Sequence, residues 1–301
     1  MAASSLIIGS QVLSLATGLS FLSGFLINVF IVAVNISEWK KRRPVSKIDK
    51  VITSLVVSKT VFQVSCVLML ILYDYLYRLS SLFLVLVILT SMYSSIWLST
   101  LLSVLFCLKI STLQNAFFLR LKILVLNRVF HLIMASLMVA ISYALIFSLM
   151  IHVEIFNNST QKWYNNAYMG LHISALIFPT TGPLFINFMS SVLLIIYLCN
   201  HVSRMSSERN RKSHLDTYYK TIKFTIFSFL FSAVYIILQQ TYNHSSAVIG
   251  LLGYNFFSQI SSTLHSIYLI YVTAKLRIQV SHMVHFLRRC GDLKAQIETV
   301  F

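Results

Sequence analysis

Catalysis or ion coupling in this chain would have to draw on eight carboxylates: Glu38, Asp49, Asp74, Glu154, Glu208, Asp216, Asp292 and Glu298. Paired acids can run general acid–base chemistry, and an acid at membrane depth can hold and release a proton or a cation. All eight fall in short polar segments, at the ends of long apolar runs, or in the C-terminal tail, so none is placed for either task. The nine histidines are scattered mostly near the ends of those runs, with no i, i+4 pair backed by an acid. Cys66, Cys107, Cys199 and Cys290 show neither CxxC nor Cys/His ligand spacing, which leaves zinc without support and makes an extracellular disulfide framework unexpected. The expectation is a chain that is not an enzyme and that needs no metal and no cofactor.

One charge does sit inside an apolar run. Lys59 comes nine residues after Lys50, about 13 Å along a helix, too deep to snorkel out easily. With no carboxylate at that depth its ammonium needs neutral partners, and Asn28, following Gly24 in the first run, is the natural one. The expected result is a polar clasp between the first two helices that serves packing and takes some part in switching. Pro179 and Pro183, flanking Gly182, should bend the fifth run and open space between helices, where small-molecule pockets form.

The elements that must position these residues follow from the solvent. The 301 residues are 57% hydrophobic and 11% charged, with a mean hydropathy of +0.79. Seven apolar stretches can be drawn, roughly 13–36, 48–73, 82–108, 123–151, 171–198, 219–238 and 247–272, each long enough to cross a bilayer. In hydrocarbon only helices or closed barrels satisfy every backbone group, and a barrel would show short alternating segments instead. The expected fold is therefore all-α: one polytopic domain, a seven-transmembrane helix bundle spanning residues 1–301, with 274–301 a short amphipathic tail. On that tail Leu276, Val280, Val284 and Leu287 are expected to face lipid, and Arg277, Arg288 and Arg289 water or anionic headgroups.

Charge sets the expected orientation. Formal net charge is +16, yet the basic residues cluster in alternate connectors and the tail, leaving no free face for nucleic acid. The other three connectors carry only Arg78 and Lys162, and the segment before the first helix carries no basic residue. By the positive-inside rule the N-terminus is outside and the C-terminus cytoplasmic. The sequons at Asn157, Asn158 and Asn243 then fall outside, where glycan transfer is possible, whereas the one at Asn35 does not.

A set of motifs in order along the chain resembles the type 2 (bitter) taste receptors, a group of G-protein-coupled receptors. Gly24, Asn28, Phe30 and Ile31 are similar to the family's Gly-x-x-x-Asn-x-Phe-Ile in the first helix. Trp97 and Thr100, then Phe106, Lys109 and Ile110, resemble its third-helix patterns, and His201 with Met205 matches His-x-x-x-Met after the fifth. His265, Ser266, Leu269, Ile270, Lys275 and Leu276 resemble its seventh-helix signature. Departures mark a divergent member: Lys59 stands where the family has Arg, Phe106 where it has Tyr and Thr273 where it has Asn, while His214 matches its position only loosely. Lys for Arg loses a planar five-donor fork.

The resemblance implies a small-molecule agonist bound among helices three, five, six and seven near the outer side. Family contact positions carry over to Ile88, Met92, Tyr93, Tyr235 and Asn255, to which Phe185 near the expected kink and Gln259 one turn further in are added. Met92 would adapt to varied shapes. Asn28, Lys59, His265 and Ser266 are the expected structural or switch residues. Lys109, Lys122, His201, Arg204, Lys220 and Lys275 would ring the face where a heterotrimeric G protein docks, a charge suited to an acidic partner. The implied setting is the plasma membrane, with the lipid bilayer as an obligatory partner and self-association left open. A vomeronasal type 1 pheromone receptor is the alternative, disfavoured by the seventh-helix signature. A small-solute transporter is a weaker one, disfavoured by the absence of midplane acids.

Overall fold

The computed structural model describes residues 2–41, 46–72, 78–110, 116–156, 180–197, 199–200 and 248–298, with positions 223, 226, 227, 229, 230, 233 and 234 in between. Within them run α1 (Ala2–Lys40), α2 (Lys47–Ile71), α3 (Arg78–Ile110), α4 (Ala116–Asn127), α5 (Val129–Phe156), α6 (Thr180–Tyr197), α7 (Val248–Val272) and α8 (Ala274–Glu298). No strand occurs among the described residues, and the isolated positions between 223 and 234 are helical. The protein is all-α, as long apolar runs in hydrocarbon require.

Among the described residues five segments are long and apolar enough to cross a membrane: Gln11–Lys40, Lys47–Ile71, Leu82–Lys109, Val129–Leu149 and Thr180–Tyr197. α7 has comparable length and no charged residue. Of its polar positions, Asn255, Ser258, Gln259, Ser262, Thr263, His265 and Ser266 are buried and Ser261 is half-buried. A helix that turns its polar groups inward and its apolar ones to lipid is inverted relative to a soluble amphipathic helix, and it marks the bundle interior as the polar side.

Two junctions are tighter than apolar runs alone indicate. The run that starts at Ile123 in the sequence lies on a helix that reaches back to Ala116 and is interrupted only at Arg128. There Arg128 N–H donates to Leu124 and Val125 carbonyls at 3.1 and 3.3 Å, and Leu132 N–H to the Arg128 carbonyl at 3.0 Å, so the ladder continues across the break. At the other junction Thr273 N–H donates to the Leu269 carbonyl and Arg277 N–H to the Thr273 carbonyl, both at 3.0 Å, carrying α7 into α8 without loss of backbone bonds.

The core has two parts. The larger joins Ile31 of α1, Val51, Ile52, Leu55 and Val56 of α2, Leu98, Leu102 and Leu105 of α3, Val129 and Ile133 of the α4–α5 unit, and Leu269 of α7. The smaller packs Phe62 and Cys66 of α2 and Leu89, Met92 and Tyr93 of α3 on Ala140 and Ala144 of α5, whose small side chains at i, i+4 let the helices approach closely. Leu276, expected to face lipid, is instead buried in the larger core. It stands on the first turn of α8, still beneath the bundle, whereas Met283, Val284 and Phe286 further along are exposed beside Arg288 and Arg289.

Candidate functional site

The bundle interior is organised around one glutamine. Gln63 is fully buried on α2. Its Oε1 accepts from Asn28 Nδ2 of α1 at 2.9 Å, its Nε2 donates to Thr263 Oγ1 of α7 at 3.5 Å, and its backbone carbonyl accepts from Gln259 Nε2 at 3.3 Å. Thr263 Oγ1 in turn lies 2.8 Å from the Gln259 carbonyl and 3.1 Å from the Ser20 carbonyl. Three helices are thus tied by primary amides and hydroxyls, groups that both donate and accept and so satisfy one another without charge. Gly24 belongs to the same junction: a Cβ there would strike Thr263 Oγ1 and Gln63 Nε2, whereas Gly9, Gly18, Gly182 and Gly253 have open space at that position. The Gly24-x-x-x-Asn28 spacing therefore reads as close approach followed one turn later by a hydrogen bond.

Asn28 pairs with Gln63, one turn further along α2 than Lys59, and not with Lys59 itself, so the clasp is amide to amide. An amide offers a donor and an acceptor in one plane, which an ammonium does not. Lys59 is 8% exposed and His265 5% exposed, close enough to interact electrostatically; among the described residues neither ring nitrogen of His265 has a hydrogen-bond partner. Ser266, its neighbour, is fully buried and donates to the Ser262 carbonyl at 3.1 Å.

A second clasp closes the basic end. Asn35 Nδ2 of α1 donates to Thr53 Oγ1 of α2 at 2.9 Å, and Lys275 Nζ of α8 reaches Asn35 Oδ1 at 3.1 Å and Asp49 Oδ2 at 3.4 Å. The Lys275 and Asp49 side chains are 29% and 16% exposed, so solvent screens the pair only in part. Lys275 therefore holds three elements together. Asp49→Asn is expected to lower thermal stability of the purified protein by about 1 kcal/mol, an effect that shrinks in high salt; a melting curve indifferent to both changes would show the pair to be idle.

α3 meets α6 through small polar groups: Thr100 Oγ1 lies 3.2 Å from the Pro183 carbonyl, and Ser103 and Ser190 hydroxyls are 2.9 Å apart. The Trp97-x-x-Thr100 motif thus places its threonine on the α6 proline. Pro179 lies outside the described residues.

Of the positions assigned to ligand contact, Met92, Tyr93, Asn255 and Gln259 are buried in the interior and Ile88 is half-buried. Ile88, Met92 and Tyr93 share the smaller core, where the Tyr93 ring meets Tyr143 edge-on at 6.4 Å. Gln259 is engaged with α2 as described above. Phe185 is 63% exposed on the outward face of α6 and is not brought to the others. Tyr235 lies outside the described residues, as do His201, Arg204, Lys220, Asn157, Asn158 and Asn243. Of the basic positions assigned to partner docking, Lys109 is exposed at the end of α3 and Lys122 is half-buried on α4. Gln63 and Thr263 escaped sequence reasoning; the available signal was a glutamine one turn from Lys59 within a long hydrophobic run, with no acid to pair it.

Comparisons with known proteins bear on what this bundle is. Taste receptor type 2 member 123 of Mus musculus is 35% identical over 129 residues, covering 41% of this chain and 39% of its own length. Member 46 of Macaca mulatta is 32% identical over 205 residues, covering 64% and 65%. Member 140 of Rattus norvegicus is 28% identical over 285 residues, covering 88% and 90%. The chain thus spans less than two thirds of the length of the first two relatives and most of the third. The model of the taste receptor protein (TAS2R) family matches residues 6–288, nearly the full extent of the helices above, and the chain accordingly belongs to that family of multi-pass membrane receptors.

Proposed function

We propose that this chain is a bitter taste receptor of the plasma membrane, with its N-terminus outside, its C-terminus cytoplasmic, and a heterotrimeric G protein as its signalling partner. A member of a receptor family is not an enzyme, and its work is to shift a conformational equilibrium by differential binding. A small bitter or noxious molecule would bind in the outer half of the bundle, among α3, α6, the sixth span and α7. The observation that carries this reading is the family match over residues 6–288, supported by a helix bundle whose buried polar side chains line the inside of α7. Asn255, buried one turn outward of the Gln63 junction, is the best-placed polar anchor, with Met92 and Ile88 as adaptable walls. Tyr235 completes the set by resemblance. Phe185 is left out, since its side chain faces away.

Docking of the G protein is assigned to the basic end, where Lys109 is exposed. His201, Arg204, Lys220 and Lys122 join it by resemblance, and Lys275 contributes through its clasp. Asn157, Asn158 and Asn243 are the proposed glycosylation sites, on the opposite side.

A panel of bitter compounds screened for calcium release in cells expressing the chain with a G protein should give ligand-dependent responses. Asn255→Ala and Tyr235→Ala are each expected to raise the effective agonist concentration about ten-fold at unchanged surface expression, the loss of one buried hydrogen bond. Unaltered potency in both would remove the pocket while leaving the family assignment standing.

A further inference from the structure

A narrow apolar cavity of about 270 Å³ lies outside the polar interior, where α3, the α4–α5 unit and α6 meet. Trp97, Leu101 and Val104 of α3 form one wall and Leu132 and Val139 of α5 the other, with Ile186 of α6 and Val125 of α4 closing its edges. The hydroxyls that border it are turned onto helix carbonyls: Ser136 donates to Leu132 and Thr100 to Ile96. On the α4–α5 unit the lining runs from Val125 to Val139, about 20 Å at 1.5 Å per residue, rather more than the depth of one leaflet. The slot opens onto a lipid-facing surface, since Phe130, Met134, Met138 and Ile186 beside it are exposed.

One end of the slot is charged. Arg128 follows Val125 by three residues and precedes Leu132 by four, so it leaves the helix on the stripe that forms the wall, and it is exposed. Lys109, also exposed, stands five residues beyond Val104, which turns it well away from the lining stripe of α3 and leaves Arg128 as the cation on the wall. α3 and α4 contain no acidic residue, nor does α5 before Glu154, so nothing in these elements neutralises Arg128 at that lip.

We propose that this slot is a binding site for an anionic membrane phospholipid, with one acyl chain lying along the α3–α5 wall and the phosphate group held by Arg128. A zwitterionic lipid offers the same chain but no net charge for the lip, and a sterol is rigid and neutral; the pairing of apolar slot and cationic lip selects the anionic phospholipid. Occupancy would brace α3 against α6 next to the Thr100–Pro183 contact. The leaflet that supplies the lipid rests on the orientation proposed above, and a symmetric bilayer removes that dependence.

The test uses the full-length purified receptor in phosphatidylcholine nanodiscs carrying a phosphatidylinositol 4,5-bisphosphate with a diazirine on one acyl chain. After irradiation, labelled peptides should come from residues 97–104 and 132–139, and unlabelled phosphatidylinositol 4,5-bisphosphate should compete where added cholesterol does not. Ala135→Phe, within the slot, or Val139→Phe, at its end away from Arg128, should reduce labelling to the level of a diazirine phosphatidylcholine, and Arg128→Gln should weaken competition about five-fold. Melting of each variant in phosphatidylcholine alone controls for folding. Equal labelling by the phosphatidylcholine probe, displacement by cholesterol, or labelling unaffected by the filling variants and by Arg128→Gln would each overturn the site. Bitter-compound responses are read in a separate assay, so loss of one result leaves the other interpretable.

Discussion

Gly24→Leu is expected to keep most of the receptor from the cell surface and to lower the stability of what is purified by about 3 kcal/mol. The Cβ alone would collide with Thr263 Oγ1 and with Gln63 Nε2, before any further side-chain atom is added. Gln63 could swing its amide away, but only by releasing Asn28 and Thr263. Thr263 has less freedom still: it is β-branched, restricted at χ1, and its hydroxyl is already committed among the Ser20 carbonyl, the Gln259 carbonyl and Gln63. The remaining response is for α1 to move off α7, which opens the interface along its length. Gly18→Leu, one and a half turns earlier on α1 with open space beside it, is the control and should express like the unmodified protein. Surface antibody binding on intact cells and thermal unfolding in detergent would measure both; comparable behaviour of the two variants would mean that α1 and α7 do not meet at Gly24.

How much of this was readable beforehand differs from residue to residue, and the differences have physical causes. Fold class follows from solvent, because a chain with apolar runs of twenty residues and no periodic alternation has one open-ended way to satisfy its backbone. That Asn28 would make an interhelical hydrogen bond was readable too, since a buried amide in hydrocarbon must find a partner. Which partner was not: Lys59 and Gln63, four residues apart, share a face of α2 and differ in depth by about 6 Å, and Gln63 is the one level with Asn28. Residue counting gives depth only relative to where each helix enters the membrane, and that reference comes only with the packing. Phe185 shows a second gap, since its place near Pro183 is fixed by numbering but its outward direction is set by the rotation of α6. Leu276 fails for a further reason: the apolar stripe of α8 is continuous in sequence, yet its first turn is covered by the bundle and the rest is not. The apolar slot had almost no sequence signal, because a void belongs to no residue. Only the stripe that carries Arg128 between Val125 and Leu132 could have hinted at it.

Gln63→Leu is expected to cost about 2 kcal/mol, and the size of that loss depends on what remains opposite it. Removing the Gln63 amide leaves Asn28 Nδ2 without its acceptor in a fully buried position where Asn28 Oδ1 already lacks a partner. Thr263 keeps its contacts with the Gln259 and Ser20 carbonyls, and Gln259 keeps the Gln63 backbone carbonyl, so those parts of the junction survive. The penalty therefore sits almost wholly on Asn28, and it should be relieved by removing Asn28 as well. The double variant Asn28→Leu with Gln63→Leu replaces both members of the bond by apolar groups of similar size, and it is expected to lie within about 1 kcal/mol of the unmodified receptor while each single variant falls further. Thermal unfolding of all four proteins closes the cycle. A double variant that loses the sum of the two single losses would show the two residues to be energetically independent, and the amide pair would then be a consequence of the packing of α1 on α2 instead of one of its causes. A recovered double variant that melts normally but no longer responds to agonist would place the pair in the switching equilibrium, since the apolar replacement stabilises one arrangement of α1, α2 and α7 without the exchangeable hydrogen bonds that let the other form.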